Sequence, residues 1–407
     1  MPELIYWIWF SRLTGMKPET RLRILERCPD IHELYEAAPD KFSHMDNVKP
    51  EELRALENKD IGIASAIYER CLKLGVTMLP IISERYPERL ANVFDAPIIL
   101  YVLGAIPKFD DECAVAIVGT RRASRYGLVT AEKIGFEVAD SGGLVVTGLA
   151  AGIDSAAASG ALRGGGKVAG VLGTGIDIVF PSDNARLFRE VARNGCLISE
   201  YPPGERATRF TFPARNRVIA GLSLGVCIVE APVRSGSLIT ANRASEYGRD
   251  VFVVPGSIDQ DGFKGSNELL RDGAELAVCG WDLIGRHVWR FPNKLREPIQ
   301  RKEVLRRART SSREYNADPN SRTRAHAGRE AAGIGSKPEA PRPRPRPEGL
   351  TDDETKVLDA ITGRKTADQI TMSASMRPDR VMVALTLLEL KGLVKNMGDM
   401  SYESMVD

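Results

Sequence analysis

Residues 114–163 read AVAIVGTRRASRYGLVTAEKIGFEVADSGGLVVTGLAAGIDSAAASGALR. Two short apolar runs, Ala114–Val118 and Leu144–Thr147, each end on a glycine turn, and each is followed by apolar residues at helical spacing. An unbroken apolar strand, rather than one alternating in and out, is what a parallel sheet covered on both faces requires. The pattern recurs downstream, with strands predicted at Val168–Leu172, Cys196–Ser199, Val226–Glu230, Val251–Val254 and Leu276–Cys279. Helices are predicted between them over Gly127–Ser141, Asp154–Arg163, Asn184–Asn194, Pro213–Leu222, Ser237–Tyr247 and Ser266–Asp272. The spacing predicts an α/β fold, an extended Rossmann-like, doubly wound, mostly parallel sheet over residues 76–285. The piece Thr77–Gly104 is expected on its edge.

Ligands of such sheets bind beyond the carboxyl ends of the strands. Those ends carry Gly119-Thr120-Arg121-Arg122, Gly148 to Asp154, Gly173 to Asp177, Ala231 to Thr240 and Pro255-Gly256-Ser257. Glycines let a backbone approach an anion, and helix N-termini aim N–H groups at it. Arg121 and Arg234 add permanent positive charge. Just upstream of the fifth strand, Phe210, Phe212, Arg215 and Arg217 fall within eight residues. Rings for stacking and guanidinium groups for phosphates are what a single nucleic-acid strand needs; ordinary core packing accounts for the phenylalanines equally well.

Outward from this core the chain changes character. Residues 1–75 read as a helical SAM-like or helix-hairpin-helix-like domain, with helices at Ile5–Leu13, Pro18–Arg27, Ile31–Ala37, Pro50–Leu56 and Ile61–Leu74. Only Gly15 of a helix-hairpin-helix glycine pair is present, which favours a packing or interaction module. Residues 286–349 hold seventeen Lys and Arg against seven Asp and Glu, leaving the rest of the chain at a net −8. They read as a basic disordered linker, either a sequence-blind contact to phosphates or a solvated spacer. Residues 350–407 read as three helices, Asp352–Thr362, Thr366–Thr371 and Pro378–Lys391, followed by a hairpin, a winged helix. Its third helix is poor in base-reading side chains, so duplex DNA and protein stand as alternative partners.

Composition excludes several functions. No apolar run reaches the roughly 20 residues of a membrane helix, and Leu4–Phe10 lacks the flanks of a secretory signal, so a cytoplasmic protein is expected. The six cysteines form no CxxC and four of them lie in strand-like runs, so neither a metal nor a redox pair is expected. No histidine lies between residues 45 and 286, which removes the usual general base. Gly221–Gly225 matches GxSxG, but a helix precedes it and a strand follows, the reverse of a nucleophile elbow. Gly173-Thr174-Gly175 lacks the third glycine of a dinucleotide fingerprint, and Gly165-Gly166-Lys167 lacks most of a P-loop. Asp154 and Asp177 stand at helix starts or turns, where capping outranks general-base chemistry. No catalytic residue, metal or cofactor is expected.

Seven segments in register carry a family likeness: VAIVGTRRASRYG, VVTGLAAGIDSAAASGAL, VAGVLGTGIDIVFP, LISEYPPG, FPARNRVIAGLS, VCIVEAPVRSGSLITANRASEYGRDVFVVPGS and KGSNELLRDGAE. Over about Leu79 to Ile284 the chain resembles the DprA/Smf family of DNA-processing proteins. The resemblance implies a single-stranded DNA-binding homodimer that hands the strand to RecA in natural transformation, without catalysis. By position it implies a nucleic-acid site of Gly119, Thr120, Arg121, Phe212, Arg215, Asn216, Arg217, Ser235, Gly236 and Ser237. The family often has Arg where this chain has Ala151, and the basic linker is expected to compensate. Two other functions compete. One is a nucleotide-processing Rossmann enzyme, disfavoured because RSGSLIT lacks that group's glutamate. The other is a winged-helix regulator whose α/β domain senses a ligand.

Overall fold

The computed structural model describes residues 2–298, 350–361, 363–391, 393–396 and 401–404. They fall in two compact units, one within Met1–Ala317 and one within Asp318–Asp407. The larger is built on nine strands: β1 (Thr77–Pro80), β2 (Ile99–Gly104), β3 (Ala114–Val118), β4 (Leu144–Thr147), β5 (Val168–Leu172), β6 (Cys196–Ser199), β7 (Gly225–Ile228), β8 (Asp250–Val253) and β9 (Glu275–Leu276). Their order is β1-β2-β6-β5-β4-β3-β7-β8-β9. The run from β6 to β9 is parallel, and β1 and β2 add antiparallel at one edge. This is the doubly wound sheet that the unbroken apolar runs predict. Successive residues of β3 feed opposite faces: Val115 and Ile117 join one core cluster, Ala114, Ala116 and Val118 the other. Both faces are thus dry, which is why these strands carry no polar alternation.

The predicted strand Leu276–Cys279 is a correction. Only Glu275–Leu276 pairs with β8. The Asp282 carboxylate accepts from the backbone N–H groups of Val278 (2.9 Å) and Cys279 (3.1 Å). These bonds turn the chain into helix Gly280–Ile284. The predicted linker also begins too early. Phe291 and Leu295 are buried in the core, Arg286 pairs with Glu275, and Lys294 pairs with Glu112 at 2.8 Å. Residues 286–298 therefore belong to the folded body. The rest of the basic run, residues 299–349, lies outside the described residues.

The N-terminal helices Leu4–Arg12, Pro18–Arg27, Ile31–Glu36, Pro50–Leu53 and Gly62–Leu74, with the short turns Pro39–Phe42 and Arg54–Glu57, bury Trp7, Phe10, Phe42 and Leu56 in the same cluster as Ile99 and Tyr101 of β2. The turn at Gly15 is filled from within: the Arg21 guanidinium donates to the carbonyls of Phe10 (3.3 Å) and Leu13 (2.5 Å). Between β3 and β5, helix Arg125–Asp140 packs against helix Ile153–Arg163, where Gly160 faces the backbone carbonyl of Glu132.

The smaller unit holds helices Asp352–Ala360, Ala367–Ala374 and Pro378–Leu390 beside strands Lys365–Thr366, Val394–Asn396 and Ser401–Ser404. Its own core gathers Val357, Ile370, Val381, Leu385 and Leu388. The second helix runs past the predicted Thr371 to Ala374, started by a capping box of Thr366 and Gln369. Among the described residues, no helix is long and apolar enough to cross a membrane.

Candidate nucleic-acid interface

β3 pairs with β4 on one side and with β7 on the other, so the winding of the sheet reverses there. Such a switch point leaves a crevice beyond the strand ends, and a cavity of about 610 Å³ occupies it. The loop after β3 contributes Gly119, Thr120, Arg121 and Arg122. Helix Thr211–Leu222 contributes Phe212, Arg215 and Asn216, and the loop after β7 contributes Arg234, Ser235, Gly236 and Ser237. Nine of the ten residues expected at the site therefore surround one cavity.

Local chemistry fixes these loops. Ser124 caps helix Arg125–Asp140 through Gly127 N–H (3.0 Å), and the Glu230 carboxylate accepts from Ser124 N–H at 2.9 Å. The short Gly119–Ala123 link is held at its other end by Thr120 N–H, which donates to the Glu230 carbonyl. Gly152, at φ +83°, brings the loop after β4 so close to Thr120 and Arg121 that a side chain there would strike their carbonyls. Ser235 caps helix Gly236–Glu246, accepting from Ser237 N–H at 3.3 Å. That helix N-terminus faces the cavity, where its dipole favours an anion.

Five arginines line the cavity: Arg121, Arg122, Arg209, Arg215 and Arg234. One carboxylate, Asp154, opposes them. The Arg121 guanidinium lies 4.8 Å over the Phe212 ring, and Phe180 stacks obliquely on that ring at 5.1 Å. Arg209 covers Phe210 at 4.6 Å, and Phe210 is 68% exposed. Exposed rings beside guanidinium groups offer bases a stacking surface next to cations for the backbone. Arg209 and Phe180 escaped the sequence reading. Arg209 stands only three residues before Phe212, a proximity that could have flagged it. Phe180 comes from a distant loop and left no such signal.

Arg215 is not on the open rim. It is 4% exposed and donates to the carbonyls of Gly148 (2.7 Å) and Val171. The absent side chain of Gly148 makes this possible, since a Cβ there would lie 2.5 Å from the guanidinium. Burial pulls the Arg215 pKa down to about 10, against the pull of Asp154. Asp154, also fully enclosed, accepts from Gly119 N–H (3.3 Å) and Gly148 N–H (3.1 Å). Thr120 N–H is likewise taken, by the Glu230 carbonyl at 2.8 Å. An internal carboxylate and a carbonyl thus already occupy three N–H groups of the loops after β3 and β4.

Arg217 is the tenth expected residue, and it points elsewhere. It lines a separate cavity of about 280 Å³ with Arg12, Arg21 and Glu200, between the N-terminal helices and the sheet. It is 5% exposed, bonds Glu200 at 2.5 Å and lies 4.0 Å from Asp95. Burial lowers its pKa, but the two carboxylates outweigh that and hold it above the usual value. Residues two apart on a helix are turned about 200° from each other, so Arg215 and Arg217 cannot serve one pocket. Ala151 is not among the lining residues, although Ala150 is. Five cysteines are buried, Cys279 is half-buried, and no His, Cys, Asp or Glu cluster among the described residues could hold a metal.

A family model described as DNA recombination-mediator protein A matches residues 77–287, and one described as DprA winged helix domain matches residues 340–400. DNA processing protein DprA of Streptococcus pneumoniae is 44% identical over 206 residues, 50% of this chain and 72% of that protein. Protein Smf of Synechocystis sp. is 32% identical over 407 residues, 98% of each chain. The X-ray structure of DNA processing protein A from Streptococcus pneumoniae superposes with a TM-score of 0.62 at 35% identity, covering 70% of this chain and 98% of that one.

Proposed function

The chain belongs to the DprA/Smf family, and from that premise we propose that it is a single-stranded DNA-binding recombination mediator. The observation that carries this reading is the convergence of five arginines and the Phe212 ring on one cavity at the sheet's switch point, against a single carboxylate. Phosphates engage the exposed guanidinium groups of Arg121 and Arg234 and the N-terminus of helix Gly236–Glu246. Bases stack on the exposed Phe210 and Phe180, which favours an unpaired strand over a duplex. Neither His nor Cys lines the cavity, and its one carboxylate is engaged by backbone N–H groups, which supports holding a strand over cleaving it.

In this reading the strand passes to RecA during natural transformation, and the protein acts as a homodimer. Edge strand β9 exposes Leu276 and offers a surface for a second copy. The winged helix is assigned to protein contact. Its third helix exposes Val383, and its Arg380 is paired with Asp353 through two bonds of 2.8 Å, which lowers the net positive charge of that face.

A gel shift with oligothymidylate and with a duplex of equal length tests the proposal. Preferential binding of the single strand, weakened in Arg121→Ala, is the expected result. Equal or stronger duplex binding favours the regulator, and turnover of a free nucleotide favours the enzyme.

A further inference from the structure

We infer that Asp154 is a built-in counter-anion that sets the cavity's affinity for phosphate, so that a strand binds more tightly when this carboxylate takes up a proton. The inference rests on the reading that the cavity holds strand phosphates. Asp154 opens helix Ile153–Arg163 and lines the cavity, yet it is 4% exposed. Its two oxygens collect the N–H groups of Gly119 and Gly148, donors of the kind that an anion at a strand end normally receives. The carboxylate thus sits behind the rim as an internal substitute for phosphate, and its charge offsets that of Arg215 on the cavity floor.

The charged and titratable neighbours are few. Arg215 from helix Thr211–Leu222 faces the carboxylate directly, and Arg121 and Tyr201 lie beyond it, beside Arg215. Glu230, after β7, is turned to Ser124. The flanking Thr147 and Asn184 are neutral. Burial pushes the Asp154 pKa up to about 6, in spite of Arg215 and the backbone N–H groups. Arginine and phosphodiester do not titrate between about pH 5 and 8, and no histidine lines the cavity.

Two effects of protonation oppose each other. It weakens the acceptors that hold the Gly119 and Gly148 turns, and it adds a full unit of positive charge beneath the bound phosphate. A protonated carboxyl keeps a carbonyl oxygen as acceptor, so the turns lose part of their anchoring. Asp154 and Arg215 are both buried, so water screens the charge change only partly, and it outweighs the loss of anchoring. Linkage requires the converse as well: a bound phosphate raises the proton affinity of Asp154.

The test measures binding of a labelled oligothymidylate to the full chain by fluorescence anisotropy, at fixed salt, from about pH 5 to 8. Affinity is expected to rise roughly tenfold on acidification, with its midpoint near the Asp154 pKa of about 6. Asp154→Asn should abolish this step and bind at neutral pH as the acidified wild type does. A wild-type affinity that is flat or falls with acidification overturns the inference, as does a step that persists in D154N. The wild-type profile decides even if D154N does not fold. Arg121→Ala separates the two levels. Weakened binding in R121A without a proton-linked step in the wild type removes Asp154's role alone, whereas unweakened binding in R121A removes the cavity as the strand's site and the inference with it.

Discussion

Arg121 and Arg217 both carry guanidinium groups at the carboxyl end of one sheet, but their surroundings assign them opposite duties. Arg121 is exposed over Phe212 and free to meet a phosphate, so Arg121→Ala should cost about 1–3 kcal/mol of single-strand affinity, as for other charge-assisted bonds. Filter binding at constant salt measures this, and melting should be unchanged. Arg217 is enclosed with Glu200 and Asp95. Arg217→Ala takes the partner from Glu200 and one of two cations from Asp95, which keeps Tyr247 and Arg243, and should cost about 1–3 kcal/mol of fold stability, discounted because Glu200 is partly solvated. Denaturant unfolding measures that loss, and strand affinity per folded molecule should hold. A large affinity loss without destabilisation in R217A would return Arg217 to the binding site.

At the scale of elements, the site depends on how closely helix Ile153–Arg163 is pressed onto its neighbour. That helix delivers Asp154, and its position is set where Gly160 meets the Glu132 carbonyl. Gly160→Val wedges the two helices apart; overpacking of this kind costs about 1–3 kcal/mol or more. Lowered thermal stability together with weakened strand binding is the expected pair of results. Undiminished stability would mean that the helices can separate without loss. The helix positions were legible in the sequence because turn glycines and apolar spacing are local signals. The early end of β9 was not, because Asp282 takes the Val278 and Cys279 N–H groups from beyond the predicted strand.

At the scale of the whole molecule, the cavity supplies a localised set of cations, and residues 299–349 carry thirteen Lys and Arg against six Asp and Glu. Each phosphate neutralised releases counterions and steepens the salt dependence. Deleting residues 299–349 should weaken single-strand binding and flatten the slope of log affinity against log salt; an unchanged slope would make the segment a spacer. Removing residues 350–407 should leave duplex affinity unaltered, since the third helix is poor in base-reading side chains and exposes Val383. A loss of duplex binding would restore the DNA-reading role.

The sequence by itself determined the α/β class, the strand and helix succession and the glycine-rich loops at the strand ends, while the nine cavity residues followed from its family resemblance. Parallel strands, glycine turns and capping are written in contiguous residues, and strand ends must gather at one edge of the sheet. Only the tertiary structure decided which flank of helix Thr211–Leu222 each arginine takes, which N–H groups stay free, and that Asp154 stands where an anion would. Those outcomes depend on partners from distant parts of the chain, Glu200 for Arg217 and Gly148 for Arg215 and Asp154, whose distance and burial no local pattern encodes.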